Sequence, residues 1–209
     1  MIRVKICGIS DPVAFDTAVE AKADWIGFVF FPRSPRYVTP RTAAALSARR
    51  IDGPPRVGLF VDPTLDEIAD VIETVKLDVL QIYNAGERLG AIKAQFGLPI
   101  WPAIGIASAA DLPAAALNAD RLVLEAKPPI GTNRPGGNAT MFDWSVLSGW
   151  SAPAPWILAG GLTPENVTTA ITETGADAVD VSSGVERRKG EKDPALIRRF
   201  ITAAKAVRN

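Results

Sequence analysis

Val4-Lys5-Ile6-Cys7-Gly8 is an apolar run in strand spacing that stops at the chain's single cysteine and a glycine. Gly8-Ile9-Ser10-Asp11-Pro12 then reads as a turn into a helix, so the thiol stands at the C-terminal end of a strand that feeds a helix directly. Side chains alternate across a strand, which puts Arg3, Lys5 and Cys7 on one face and Ile2, Val4 and Ile6 on the other. One face is suited to packing, the other to chemistry. A lone free cysteine ordinarily behaves as a small buried hydrophobe; the strand-end position is what makes Cys7 a candidate for reaction.

The same unit recurs along the chain. Asp11 to Lys22 is an expected helix, with Asp11 as N-cap and Pro12 at its first position. Further strands are expected near Trp25 to Phe30, Arg56 to Val61, Asp78 to Ile82, Ile100 to Ile104, Arg121 to Glu125, Pro155 to Ala159 and Asp177 to Val181. Helices are expected between them, at Pro40 to Arg50, Leu65 to Val75, Arg88 to Phe96, Ala109 to Leu117, a short one at Asp143 to Leu147, Pro164 to Glu173 and Pro194 to Val207. Eight strand–helix units with no break in composition predict a parallel sheet closed into a (β/α)8 TIM barrel, a single domain over residues 1–209, with an open doubly wound sheet as the alternative. The length is short for such a barrel, so trimmed helices are expected.

Composition narrows the chemistry. Lys and Arg total 23 and so do Asp and Glu, which leaves no electrostatic case for a nucleic acid or an acidic membrane surface and favours a small-molecule protein. One cysteine excludes an intramolecular disulfide, no apolar run is long enough to span a bilayer, and the start is not signal-like; the cytoplasm is the expected compartment. The complete lack of histidine excludes an imidazole base, a histidine-built metal site and any Ser–His or Cys–His pair.

A barrel of this kind carries its chemistry on the loops after its strands. The loop after the second strand, Phe31-Pro32-Arg33-Ser34-Pro35-Arg36-Tyr37-Val38, is either a solvated loop with stray charge or a clamp in which Pro35 holds Arg36 toward an anionic group of a substrate. Glycines after the seventh strand, Gly160 and Gly161, and Ser183 and Gly184 after the eighth occupy the usual phosphate cradle of this architecture. In the sixth strand Glu125 points away from Leu122 and Leu124 and ends its strand as Cys7 ends the first, either solvated at the rim or facing the thiol. Lys127 to Thr140, containing Gly136-Gly137, is the longest stretch without helix and is expected to cover a site.

These residues resemble the phosphoribosylanthranilate isomerase family over essentially the whole length. The resemblance rests on Lys5-Ile6-Cys7-Gly8-Ile9, Gly27-Phe28-Val29-Phe30, Ser34-Pro35-Arg36-Tyr37-Val38, Val57-Gly58-Leu59-Phe60-Val61, Leu80-Gln81, Phe142-Asp143-Trp144, Leu158-Ala159-Gly160-Gly161-Leu162 and Asp180-Val181-Ser182-Ser183-Gly184-Val185-Glu186. It implies a cofactor-free (β/α)8 barrel that turns N-(5-phosphoribosyl)anthranilate into an open-chain 1-deoxyribulose phosphate by an Amadori rearrangement. It also implies that Cys7 is the general base, Glu125 the general acid and Arg36 the ligand of the anthranilate carboxylate, with Gln81 as a supporting residue.

The residues agree with that chemistry. Opening a furanose needs a proton on the ring oxygen, and the resulting iminium makes the C2′ proton acidic enough for a modest base, so an acid and a base on opposite walls suffice. A thiol needs help toward thiolate, and Lys5 on the same strand face is the nearest cation; Asp180, on the strand that adjoins the first at closure, is its expected counter-charge. Three positions depart from the family pattern: Glu125 stands for the usual aspartate, Gly136-Gly137-Asn138-Ala139 for Gly-Gly-Thr-Gly, and Tyr83-Asn84 for His-Gly. They leave open a paralogue that binds a phosphosugar without this turnover, or isomerises another. The expected partner is a small phosphosugar, with no nucleic acid or membrane, for a monomer or a homodimer in which Phe31, Trp150 and Trp156 are candidate exposed apolar contacts.

Overall fold

β1 (Arg3–Cys7) has a parallel partner on each side, β2 (Trp25–Val29) and β8 (Ala178–Val181), so the sheet has no edge at the chain's first strand. The computed structural model describes residues 1–128 and 140–207. Between β2 and β8 run β3 (Arg56–Val61), β4 (Val79–Tyr83), β5 (Ile100–Ile106), β6 (Leu122–Ala126) and β7 (Trp156–Leu158), in sequence order around a closed parallel barrel. The closed barrel is the architecture the strand count predicted, and the open sheet is excluded.

Strand parity decides what each layer holds. Val4 and Ile6 of β1 and Leu122 and Leu124 of β6 point outward into the core shared with the helices, where full burial of such a side chain contributes roughly 1.5–3 kcal/mol. The inward residues stack in layers. At the N-terminal mouth Trp25 meets Trp101 edge-on with centroids 5.1 Å apart, and the guanidiniums of Arg3 and Arg121 lie over the Trp25 ring. Aromatic and cationic groups thus plug the end opposite the functional loops. At the other mouth Cys7, Val29, Leu59 and Tyr83 form a separate small cluster.

The helices are α1 (Pro12–Glu20), α2 (Pro40–Ser47), α3 (Leu65–Thr74), α4 (Leu89–Phe96), α5 (Val167–Thr174) and α6 (Pro194–Ala206), several shorter than the sequence suggests. Asp11, Thr39, Thr64 and Asp193 cap α1, α2, α3 and α6 with their side chains. The helix expected over Ala109 to Leu117 does not form. Only the 3-10 turn Ala109–Asp111 does, because Pro113 lacks an N–H, would strike the carbonyl four residues back and drives Leu112 to an extended ψ of 130°. Asp143 to Leu147 likewise is a 3-10 turn, Trp144–Leu147.

A hairpin that the sequence reading missed, β9 (Glu186–Arg188) and β10 (Glu191–Lys192), follows β8. The apolar residues proposed for a dimer contact are otherwise engaged. Trp150 packs edge-on against Trp156 and donates its indole N–H to the Pro113 carbonyl at 3.1 Å, and Phe31 lines the cavity at the barrel mouth. The Lys127 to Thr140 loop, with Gly136-Gly137-Asn138-Ala139, falls for the most part outside the described residues.

Candidate active site

One cavity opens at the C-terminal mouth, walled by Cys7 from β1, Arg36 from the loop after β2, Tyr83 from β4, Glu125 from β6, Gly160 and Gly161 after β7, and Asp180 and Ser183 from β8 and its loop. Cys7 ends β1 and Glu125 lies one residue before the end of β6, on walls separated by β7 and β8, and both face inward. Each is almost wholly buried, at 4% and 6% exposure, so their proton affinities answer to neighbours rather than to bulk water.

Beneath the thiol, Lys5 is fully buried and donates to Asp180 Oδ2 at 2.9 Å. The two are register partners on β1 and β8, which is why residues so distant in sequence meet without strain. Burial opposes the Lys5 ammonium, but Asp180 and Cys7 more than offset it, and the lysine titrates above its ordinary value. Burial pushes the Cys7 thiol up; Lys5 pulls it down and Asp180 pushes it up again. The help that the sequence suggested Lys5 would give is therefore present, but burial outweighs it and Cys7 rests as a thiol.

Glu125 shows the opposite economy. Burial raises its carboxyl to about 8, against a hydrogen bond with Tyr83 and the charge of Lys5, both of which lower it, while Asp180 raises it further. At neutral pH it is a protonated acid with a proton to give. Gln81 lies elsewhere: register-paired with Leu59 and Trp101, it is buried in the barrel below the cavity, and neither amide atom has a partner among the described residues.

Arg36 is held more firmly than Pro35 alone could manage. Its Nε donates to Glu186 Oε1 at 2.6 Å and its Nη2 to Oε2 at 3.0 Å, a fork that closes the loop after β2 onto the start of β9. A guanidinium has a second edge, Nη1 with the other hydrogen of Nη2, and this is the edge Glu186 leaves for an anion in the cavity. Lys192, buried, donates to the same Glu186 Oε1 at 2.8 Å and to the Ser182 carbonyl at 2.8 Å. Burial lowers Lys192 to about 8 despite Glu186 beside it, whereas Glu186, opposed by burial, is brought down to about 2 by Arg36 and Lys192. Sequence reasoning overlooked Lys192 because a lysine just before the Asp193-Pro194 helix start reads as solvated charge.

Of the residues assigned to the phosphate cradle, Gly160 (φ +85°), Gly161 (φ +66°) and Ser183 line the cavity. Both glycines turn the chain through the left-handed region as it leaves β7, and a Cβ at Gly160 would lie 2.9 Å from the Ala126 nitrogen. Gly184 is set back from the wall. A Cβ there would collide with the Leu162 carbonyl oxygen, so it lets the loop after β8 press against the loop after β7. A cluster of His, Cys, Asp and Glu able to hold a metal is absent among the described residues, and none of their helices is long and apolar enough to cross a membrane.

Comparison with known proteins identifies the family. The model of the family described as N-(5'phosphoribosyl)anthranilate (PRA) isomerase matches residues 4–203. The N-(5'-phosphoribosyl)anthranilate isomerase of Acidiphilium cryptum is 54% identical, covering 99% of this chain and 100% of that protein, and that of Rhodospirillum rubrum is 51% identical, covering 97% of each. Among solved structures, phosphoribosyl anthranilate isomerase from Thermotoga maritima superposes with a TM-score of 0.85 at 37% identity, over 99% of this chain and 100% of that one. A phosphoribosyl anthranilate isomerase in complex with reduced 1-(o-carboxyphenylamino)-1-deoxyribulose 5-phosphate superposes at 0.83 with 35% identity and the same coverage. Matched end to end in sequence and in fold, the chain belongs to the N-(5'-phosphoribosyl)anthranilate isomerase family, aldose–ketose isomerases of tryptophan biosynthesis.

Proposed function

We propose that Cys7 and Glu125 divide the proton traffic of the isomerisation between them as N-(5'-phosphoribosyl)anthranilate becomes 1-(2-carboxyphenylamino)-1-deoxyribulose 5-phosphate. The observation that carries this is the placement of a buried, protonated carboxyl and a thiol on two walls of one cavity. Glu125 delivers its proton to the furanose ring oxygen, the C1′–O bond breaks and the nitrogen lone pair forms the iminium. Cys7 rests as a thiol and must first release its proton to solvent; the thiolate so formed, favoured by the Lys5 ammonium, removes the C2′ proton, and the electron pair of the broken C2′–H bond neutralises the iminium to give an enolamine that tautomerises to the ketone. No atoms are gained or lost, and no cofactor enters.

The rest of the wall binds. The free edge of Arg36 suits the anthranilate carboxylate, and the backbone at Gly160, Gly161 and Ser183 suits the phosphate; the complex of the related isomerase with reduced 1-(o-carboxyphenylamino)-1-deoxyribulose 5-phosphate supports a ligand that carries both groups. The Glu125 carboxyl, one methylene longer than the family's aspartate, is buried in the wall rather than extended into solvent. Every relative named above is an isomerase, so a binding-only paralogue draws no support. A soluble cytoplasmic monomer or homodimer acting on this small phosphosugar completes the reading. The test is loss of fluorescence of freshly generated phosphoribosylanthranilate, with rescue of a tryptophan auxotroph lacking this isomerase. Cys7→Ser and Glu125→Gln should each remove most turnover, and equal rates for the parent and Glu125→Gln would eliminate Glu125 as the acid.

A further inference from the structure

Tyr83 and Glu125 sit on β4 and β6, with the whole of β5 between them, yet both side chains enter one cavity and each shifts the titration of the other. The reason lies in β5. Tyr83 is the register partner of Ala103, and Glu125 that of Gly105, so the intervening strand puts only a methyl group and a hydrogen on its inward face between the two longer side chains, with the Lys127 stem lying over Gly105. Both residues are buried and both line the reaction cavity. Among the described residues, the charged and titratable groups that act on Glu125 or share its cavity are Lys5 and Cys7 from β1, Arg36 from the loop after β2, Tyr83 from β4 and Asp180 from β8, while β5 contributes Ala103 and Gly105 and the loop after β7 Ala159.

We propose that Tyr83 is a positioning residue for Glu125, its phenol donating to one carboxyl oxygen so that the other, which carries the proton, is turned into the cavity. The phenol cannot serve as the acid itself, because burial first and then the charge of Glu125 lift it well above its ordinary range. A phenolic donor is suited to the step. While Glu125 is protonated, the hydroxyl fixes which oxygen bears the hydrogen; once the proton has moved to the substrate, it stabilises the carboxylate left behind. Tyr83 would thus act more strongly on the product of proton transfer than on its starting state, which is the property that speeds a step. It would also account for how a glutamate reaches the required position, since the phenol fixes the end of a side chain with one more rotatable bond than aspartate.

This inference rests on Glu125 being the acid, so the experiment separates the two. Tyr83→Phe removes only the hydroxyl. It should lower kcat about tenfold with KM unchanged, an effect of the size expected of an orienting group, and move the limb of the pH–rate profile set by Glu125, near 8 in the parent, to higher pH. Glu125→Asp retracts the carboxyl from the phenol, so Tyr83→Phe should cost nothing further in that background. The pH titration of the Glu125 carboxyl in 13C-glutamate-labelled protein gives a readout independent of turnover, and in Tyr83→Phe its midpoint should rise. An unmoved midpoint with additive single and double variants overturns the role of Tyr83. If Glu125→Gln is inactive while Tyr83→Phe matches the parent, only this inference fails; full activity in Glu125→Gln would overturn the reading on which it rests.

Discussion

Glu186 holds Arg36 by both carboxylate oxygens across a sequence separation of 150 residues and shares one of those oxygens with Lys192. One carboxylate therefore fastens the loop after β2, the loop after β8 and the β9–β10 hairpin to one another. Two buried cations against one anion leave a local excess of positive charge behind the Arg36 wall of the cavity, which suits a substrate with two anionic groups better than a neutral pair would.

Glu186→Ala is expected to strip both cations of their partner at once. Breaking a buried pair by removing one member costs about 3–5 kcal/mol, and here Lys192 and Arg36 are both left exposed to that cost. Denaturant unfolding should show a midpoint well below the parent's, and KM should rise as Arg36 loses its orientation. The acid limb of stability carries the same signature. Because the folded carboxyl titrates at about 2, its contribution is complete above the ordinary glutamate value of 4.5 and is lost as pH falls toward 2, a dependence that Glu186→Ala should flatten.

Glu125 is expected to act on stability in the opposite direction. Its folded carboxyl titrates at about 8 and its unfolded one near 4.5, so between those values the folded chain holds a proton that the unfolded chain has released. Stability should then fall as pH rises through that window, by up to about 1.4 kcal/mol per unit, and level off above it. Glu125→Gln keeps the shape and removes the titration; unfolding free energies measured from pH 5 to 8.5 should lose that component of their slope. A slope equal to the parent's would mean that the carboxyl is ionised in the folded protein.

Arg36→Lys is expected to separate binding from chemistry. A lysine can answer Glu186 as a point charge but cannot present a second planar edge, so KM for the phosphosugar should rise by an order of magnitude or more, about the 1.5–3 kcal/mol carried by a charge-assisted bond, with kcat less affected. Cys7→Ser should do the reverse. Steady-state kinetics on both variants decide it, and a lower kcat at unchanged KM for Arg36→Lys would place the arginine in the chemical step.

How much of this could be read from the sequence follows from how far apart the determinants lie. The barrel was legible because alternation along each strand is local: Ile6 and Cys7, or Leu124 and Glu125, declare their faces within two residues. The pairing of Lys5 with Asp180 was legible too, since closure of eight strands makes the first and last neighbours. The fifth connection was misread because its alanines favour helix, and the single Pro113 outweighs them. Three features stayed hidden: the fork from Arg36 to Glu186, the reach of Lys192 and the convergence of Tyr83 and Glu125 on one cavity. All depend on the folded hairpin or on the small residues of an intervening strand, which no local pattern announces.

Asp180→Asn brings two consequences of one charge into opposition. Losing the carboxylate leaves Lys5 buried without a counter-charge, and the fold should weaken by about 3–5 kcal/mol in denaturant unfolding. The thiol should gain at the same time. Asp180 is one of the groups that push Cys7 up, and the Lys5 ammonium, no longer neutralised, would then act on the sulfur alone, so the thiolate should form at lower pH than in the parent. Alkylation of the single cysteine by a small neutral reagent, followed against pH under conditions where the variant is fully folded, measures this directly. Lys5→Met is the counterpart, because removing the cation should move the same alkylation profile to higher pH. If neither variant shifted the profile, the thiol would be governed by burial alone and the Lys5–Asp180 pair would serve only to hold the barrel closed; a shift of both in the same direction would overturn the opposed roles of the two charges.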